Sequence, residues 1–442
     1  MSSTGRGGSH ESLRPCNFPP VKVSGSARPP GDKSISHRAL MLAALARGTS
    51  ELSGLLAGED VKSTARVLRQ LGVTASAVRP DRVSVRGTRL TAPVSRLNCG
   101  NSGTTARLML GILAGQRFAA TLTGDRSLRR RPMRRVTEPL RTMGARIEAK
   151  DDALPVTIRG GRLSAIDYAS PVASAQVKSA LLFAGLTGGV PVTVHEPYRS
   201  RDHTERLLAH LGCELHVRDR AVSLQPSASS KQFAGFELAV PGDVSSAAFL
   251  VAAAVLAEAG ELLIENVGVN PTRTGFLVVL ERMGAHVERL NLGDAGGEPV
   301  ADLLVRPAAL TGTVVAADEV PTLVDEVPVL AVLASRARGE TVFHDVGELR
   351  VKESNRLELV AANLRAVGVS AEARGNDLHV QGATRPPRGR IDTAKDHRLA
   401  MAFGVLGTLP GAKVELSERR SVAISYPGFF RDLQRISARR RD

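Results

Sequence analysis

The chain has 442 residues, 43% of them hydrophobic, enough for one large domain or two to three ordinary ones. Lys and Arg number 59 against 44 Asp and Glu, a formal +15, and fifty of those cations are Arg. No apolar run reaches the roughly 18 residues that span a bilayer. With no Trp and 3% aromatics the chain lacks base-stacking platforms for nucleic acid, and the charge alone does not restore that reading. Cys16, Cys99 and Cys213 are scattered, which fits neither a disulfide framework nor a zinc site.

In chain order, residues 1–17 read as a disordered Gly/Ser/Pro/Arg segment rather than a secretory signal, so a cytoplasmic, reducing location is expected. VKVSGSARP then reads as a strand running into a polar turn, PGD, at Pro30–Asp32. From there a composite unit recurs, opening at Pro30, Asn98, Ser170, Pro241, Asp318 and Asp392, roughly every 70 to 80 residues. Each opening feeds an apolar helix such as RALMLAALARG or ARLMLGILAG, followed by a short strand such as ATLTG or VTVHE. Five units continue into an amphipathic helix ending in a hydrophobic residue plus Gly, at Gly72, Gly144, Gly212, Gly284 and Gly368, and then into alternating strands. The unit is β-α-β-α-β-β. The PGD turns at Pro30 and Pro241 split the chain into halves of three units, predicting domains over 32–242 and over 18–31 plus 243–442, with a ligand cleft between them.

A polar turn feeding a helix offers free N–H groups and a positive dipole end to an anion. After the first turn Lys33, Ser34 and Arg38 converge within one helical turn, which suits a phosphate or carboxylate better than a plain Ser cap. Asn101–Thr105 is a weaker nest around Gly103, with Arg107 inside the helix; Cys99 beside it has no base nearby and reads as packed thiol. In GDRSLRRRPMRRV most Arg residues must be solvated, and Arg131, before Pro132, is the one expected to be fixed. Ser174 and Gln176 offer neutral donors to hydroxyls, or simply cap a helix. Asp325, in the apolar TLVDEVPVLAVLA, is expected to have a raised pKa and serve as general base, with helix capping as the alternative. Lys352 and Arg356 would share a face, with Glu353 between them, if RVKESNR is helical. Arg398 opens the sixth helix, placed to bind a carboxylate.

PGDKSISHRAL, GNSGTTARLMLG, RPM, RVKESNRLE and DHRLAMAFG, in this order and spacing, resemble the EPSP synthase (3-phosphoshikimate 1-carboxyvinyltransferase) family from about Val21 onward. The resemblance implies an α/β fold of two similar domains, each of three βαβαββ repeats, inside-out barrel-like and related by a pseudo-twofold. It implies transfer of the enolpyruvyl group of phosphoenolpyruvate to the 5-hydroxyl of shikimate 3-phosphate, with no metal or organic cofactor. By position, Lys33, Ser34, Arg38, Ser174, Ala175, Gln176, Arg201, Asp325 and Lys352 match the shikimate 3-phosphate site. Lys33, Gly103, Arg131, Gln176, Arg356 and Arg398 match the phosphoenolpyruvate site, and Asp325, Glu353 and Lys33 match the acid/base groups. Ala175 replaces a Ser of some relatives, and Ile424 stands where some carry Lys. Gly103 leaves space where a methyl would crowd glyphosate, so sensitivity is expected. A monomer acting on these two small molecules, without nucleic acid or membrane, is expected. The rivals are UDP-N-acetylglucosamine enolpyruvyl transferase, whose loop Cys is missing between Gly124 and Arg130, and an RNA 3'-phosphate cyclase-like protein, whose nucleotide signature is missing.

Overall fold

The computed structural model describes residues 22–226 and 233–437, so the expectations for residues 1–17 and Cys16 fall outside it. Five four-stranded sheets share one pattern. In each, a first strand lies parallel to a second, the second runs antiparallel to a third, and the third pairs with a fourth at the far edge. In the third unit, for example, Ile166–Ala169 runs parallel to Val192–His195, which opposes Ala221–Leu224, which opposes Leu215–Arg218. The sixth unit has only the parallel pair Arg388–Ile391 and Lys413–Leu416.

The repeat closes by exchange. Ser26–Ala27 supplies the first strand of the fourth unit, parallel to Leu262–Gly268, and Glu237–Ala239 supplies that of the first unit, parallel to Gly48–Ser53. The segment expected as one strand is two, Lys22–Val23 and Ser26–Ala27, because Gly25 between them adopts φ 87°. Where the two connections cross, the PGD turns bond to each other: Asp32 N–H donates to the Pro241 carbonyl and Asp243 N–H to that of Pro30, both at 2.8 Å.

The first helix of each unit is almost wholly buried, as its unbroken apolar sequence requires. Five of these helices, Lys33–Leu45, Gly103–Ala114, Ala175–Gly188, Val244–Val255 and His397–Leu406, have a side-chain N-cap, from Asp32, Ser102, Ser174, Asp243 and Asp396. The second helices end on Gly72, Gly144, Gly212, Gly284 and Gly368, all at φ between 78° and 105°, a region costly for a residue with a Cβ. Buried apolar side chains form two clusters, one drawn from residues 35–240, the other from Val23, Ala27 and residues 244–436. Cys99 lies in the first, and burial pushes its thiol up to about 12.

Candidate active site

Between the two clusters lies a polar cavity of about 170 Å³, walled by helix starts from both halves. Every expected site residue lines it except Arg356, which lies just behind the wall and is 1% exposed.

One wall comes from residues 33–201. Lys33 is the first residue of its helix. Its N–H is taken by the Asp243 carboxylate at 3.3 Å, so this donor serves the protein's own crossing; its ammonium faces the cavity 3.5 Å from Asp60. Arg38 donates through Nε to Thr204 (2.6 Å), through Nη2 to Ser179 (2.7 Å) and through Nη1 to the Ser34 carbonyl (3.0 Å). Two of its five N–H hydrogens remain for a ligand. Burial pulls Arg38 down to about 10, against the opposing attraction of Glu205 and Asp32. Ser34 lines the floor beside it.

At Gly103 a Cβ would lie 2.8 Å from Arg107 Nη1 and 3.6 Å from Arg131 Nη1, so glycine lets both guanidiniums close over the helix start. Arg107 donates to Gln176 Oε1 (2.8 Å) and the Pro132 carbonyl (3.1 Å), while Gln176 Nε2 donates to Thr104 (3.0 Å). Arg131 Nη2 donates to Asn101 Oδ1 at 2.7 Å. Arg126, Arg129, Arg130 and Arg134 are exposed, whereas Arg131 and Arg135 are half-buried. Pro132 precedes the helix Arg134–Thr142 instead of opening it. Ser174 both lines the cavity and caps the helix Ala175–Gly188 through Val177 N–H (3.5 Å).

The opposite wall centres on Asp325, in the 3-10 turn Val324–Glu326, where it caps no helix. Arg201 donates to its Oδ2 from across the cavity, while Arg356 (3.5 Å), Arg398 (3.7 Å) and Lys352 (3.8 Å) surround it. This corrects the expected raised pKa. Burial does push the carboxyl up, but Arg398, Arg201, Lys352 and Arg356 together hold it well below the ordinary carboxylate range. The apolar sequence around it faces the core and leaves this side chain among cations. Its buried neighbour Glu326 is raised instead, through desolvation, although Arg398 lies 3.4 Å away.

RVKESNR is not one helix. Lys352 is extended after the turn Gly347–Val351, and the helix Arg356–Ala366 begins four residues later, capped by Asn355. Lys352 and Arg356 still meet, at Asp325, through this bend. Glu353 pairs with Arg356 at 2.6 Å; burial raises it, but Arg356, His397, Lys33 and Arg131 hold it well below the ordinary range. Arg356 also grips fully buried Asp396 through Nε (2.8 Å) and Nη2 (3.2 Å). Ile424 does not line the cavity.

Sequence reasoning left out Asp60, Arg135, Ser200, Asp243, Arg273 and Glu348, which also line it, and noted Thr104 and Arg107 at the Gly103 nest without giving them a substrate. Arg107 was within reach, since it lies at i+4 from Gly103 on the same helix face. The others carry no spacing signal, because the cavity gathers them from separate units.

Comparison with known proteins gives the family. The model of the family EPSP synthase (3-phosphoshikimate 1-carboxyvinyltransferase) matches residues 18–433. A 3-phosphoshikimate 1-carboxyvinyltransferase of Gloeobacter violaceus is 47% identical over 424 residues, 95% of this chain and 98% of that protein. One of Desulforamulus reducens is 44% identical, covering 93% and 96%. A solved structure of EPSP synthase from Acinetobacter baumannii superposes with a TM-score of 0.85 at 38% identity, over 95% of this chain and 97% of that one. The enolpyruvyl transferase NikO from Streptomyces tendae, at 18% identity and a TM-score of 0.73, shares the fold. The matches favour the first reading over both rivals, and the chain belongs to the EPSP synthase family of transferases.

Proposed function

We propose that the chain transfers the enolpyruvyl group of phosphoenolpyruvate to the 5-hydroxyl of shikimate 3-phosphate, releasing phosphate. The observation that carries this reading is one cavity where Lys33, Arg131, Lys352 and Arg398, remote in sequence, surround a space beside an ionised Asp325. Lys33, Ser34, Arg38, Ser174, Ala175, Gln176, Arg201, Asp325 and Lys352 hold shikimate 3-phosphate. Lys33, Gly103, Arg131, Gln176, Arg356 and Arg398 hold phosphoenolpyruvate.

In the addition step the 5-oxygen attacks C2 of phosphoenolpyruvate, its proton passes to Asp325, and C3 gains a proton. Asp325 becomes a stronger base when substrate anions draw Lys352 and Arg398 away from it. Glu353 is ionised before substrate arrives, so it is set to receive a proton, and the Lys33 ammonium is the donor to C3. In the elimination step C3 gives up a proton, the C2–O bond to phosphate breaks, and the enol ether remains. The cations stabilise the charge throughout.

Residues 32–242 and 18–31 plus 243–442 act as two lobes that close over the substrates and exclude water. The protein works as a cytoplasmic monomer, and its positive charge steers anionic substrates rather than nucleic acid. The test is phosphate release on mixing the protein with both substrates. Release that requires both is expected; no release above that with either alone overturns the reading.

A further inference from the structure

The cavity's cations differ in what holds them. Lys33 lies against Asp60, Arg273 against Asp243, and Lys352 against Glu348 at 2.5 Å, while Arg201, Arg356 and Arg398 share Asp325. Arg107 and Arg131 bond to neutral oxygens. Arg135, from the same wall, makes no hydrogen bond or ion pair among the described residues, and its Nε is buried without a partner. Its helix neighbours face elsewhere: Arg134 pairs with Glu138 at 3.2 Å and Arg141 with Asp152 at 2.9 Å.

Every carboxylate that lines the cavity already holds another cation, so none is left over for Arg135. Three guanidiniums, Arg107, Arg131 and Arg135, therefore line this part of the cavity with no carboxylate bonded to any of them. The crowding is felt: burial first, then Arg135 and Arg131, pull Arg107 down to about 9 against the weaker attraction of Glu348 and Glu353. Such a corner is unfavourable unless a multiply charged anion completes it.

We infer that Arg135 is a further binding residue for phosphoenolpyruvate, completing with Arg107 and Arg131 a corner for one of its anionic ends. This rests on the enolpyruvyl-transfer reading. A second arrangement fits part of the geometry: Glu348 is on the opposite wall, and Arg135 would latch onto it if Lys352 turned to substrate.

The experiment is steady-state kinetics of Arg135→Gln, Arg135→Lys and Glu348→Gln in the full chain, varying each substrate in turn. A lost hydrogen bond to a charged group predicts that Arg135→Gln raises KM for phosphoenolpyruvate by about tenfold or more. KM for shikimate 3-phosphate should stay within about twofold, which also reports an intact fold, and Arg135→Lys should recover most of the loss. An unchanged KM for phosphoenolpyruvate overturns the inference. So does an equal rise for both substrates reproduced by Glu348→Gln, which assigns Arg135 to closure instead. Wild-type protein that releases no phosphate overturns the reading and the inference together; wild-type release with an unaffected Arg135→Gln variant overturns the inference alone.

Discussion

The two walls of the cavity solve opposite electrostatic problems. On the wall built from the first three units, Arg38, Arg107 and Arg131 are held by hydroxyls, amides and carbonyls. On the wall built from the last three, Lys352, Arg356 and Arg398 are all tied to Asp325, with Glu348, Glu353, Glu326 and Asp396 adding further pairs. Apart from Lys33, which lies against Asp60, and Arg201, which reaches Asp325, the first wall's cations have no carboxylate bonded to them and are ready for an anion. The second is neutralised, and substrate has to compete with its internal ion pairs. A preorganised cationic wall suits binding, while an exchangeable network around a carboxylate suits proton movement, since the base strengthens as its cations are drawn off.

The largest expected effect is at the centre of the neutralised wall. Asp325→Ala should lower turnover by about a thousandfold, within the range for loss of a general base, while shikimate 3-phosphate binding, measured by calorimetry, stays within a few-fold. Near-normal turnover would remove Asp325 from the chemistry. Next is stability, where the walls should differ. Arg356→Ala leaves Asp396 buried without its partner and should cost about 3 to 5 kcal/mol in urea unfolding, whereas Arg131→Ala removes a cation without a carboxylate partner and should cost less than about 1 kcal/mol. Equal losses would erase the contrast.

The effect that vanishes at neutral pH concerns His397, whose neutral ring is buried behind Arg398. Burial, ahead of the opposing pull of Asp396, lowers its pKa to about 3 from an ordinary 6.5. Between these values the unfolded chain binds the proton and the folded chain does not. Its contribution is thus fully present above pH 6.5 and is lost as pH falls toward 3. The expected slope is about 1.4 kcal/mol per pH unit, and His397→Gln should flatten that part of a Tm-against-pH curve. An unchanged curve would mean that the ring is protonated in the fold.

Much of this molecule was readable before any coordinates. The helices and their glycine exits follow from local apolar periodicity and from the need for a positive φ at Gly72 and its four counterparts, and the six openings then mark the repeat. Motif likeness also picked out residues that line one cavity, because short turns such as PGDKS carry both the cap and the ligand-facing side chains. The ionisation of Asp325 was misread. Neighbours in sequence report how apolar a segment is, but Arg201, Lys352, Arg356 and Arg398 reach this carboxylate from other units, and charge acts through space.

The same limit explains why Arg135 could not be told from Arg134, and why Lys352 and Arg356 were placed on a helix that in fact bends between them. Local pattern established the repeat, its helices and its turns, since these depend on interactions within a few residues. Folding alone settled which cations share a carboxylate, which lack one, and that two PGD turns would bond to each other where the connections cross. Those outcomes depend on contacts between units, which burial and Coulomb energy select and which no window of sequence contains.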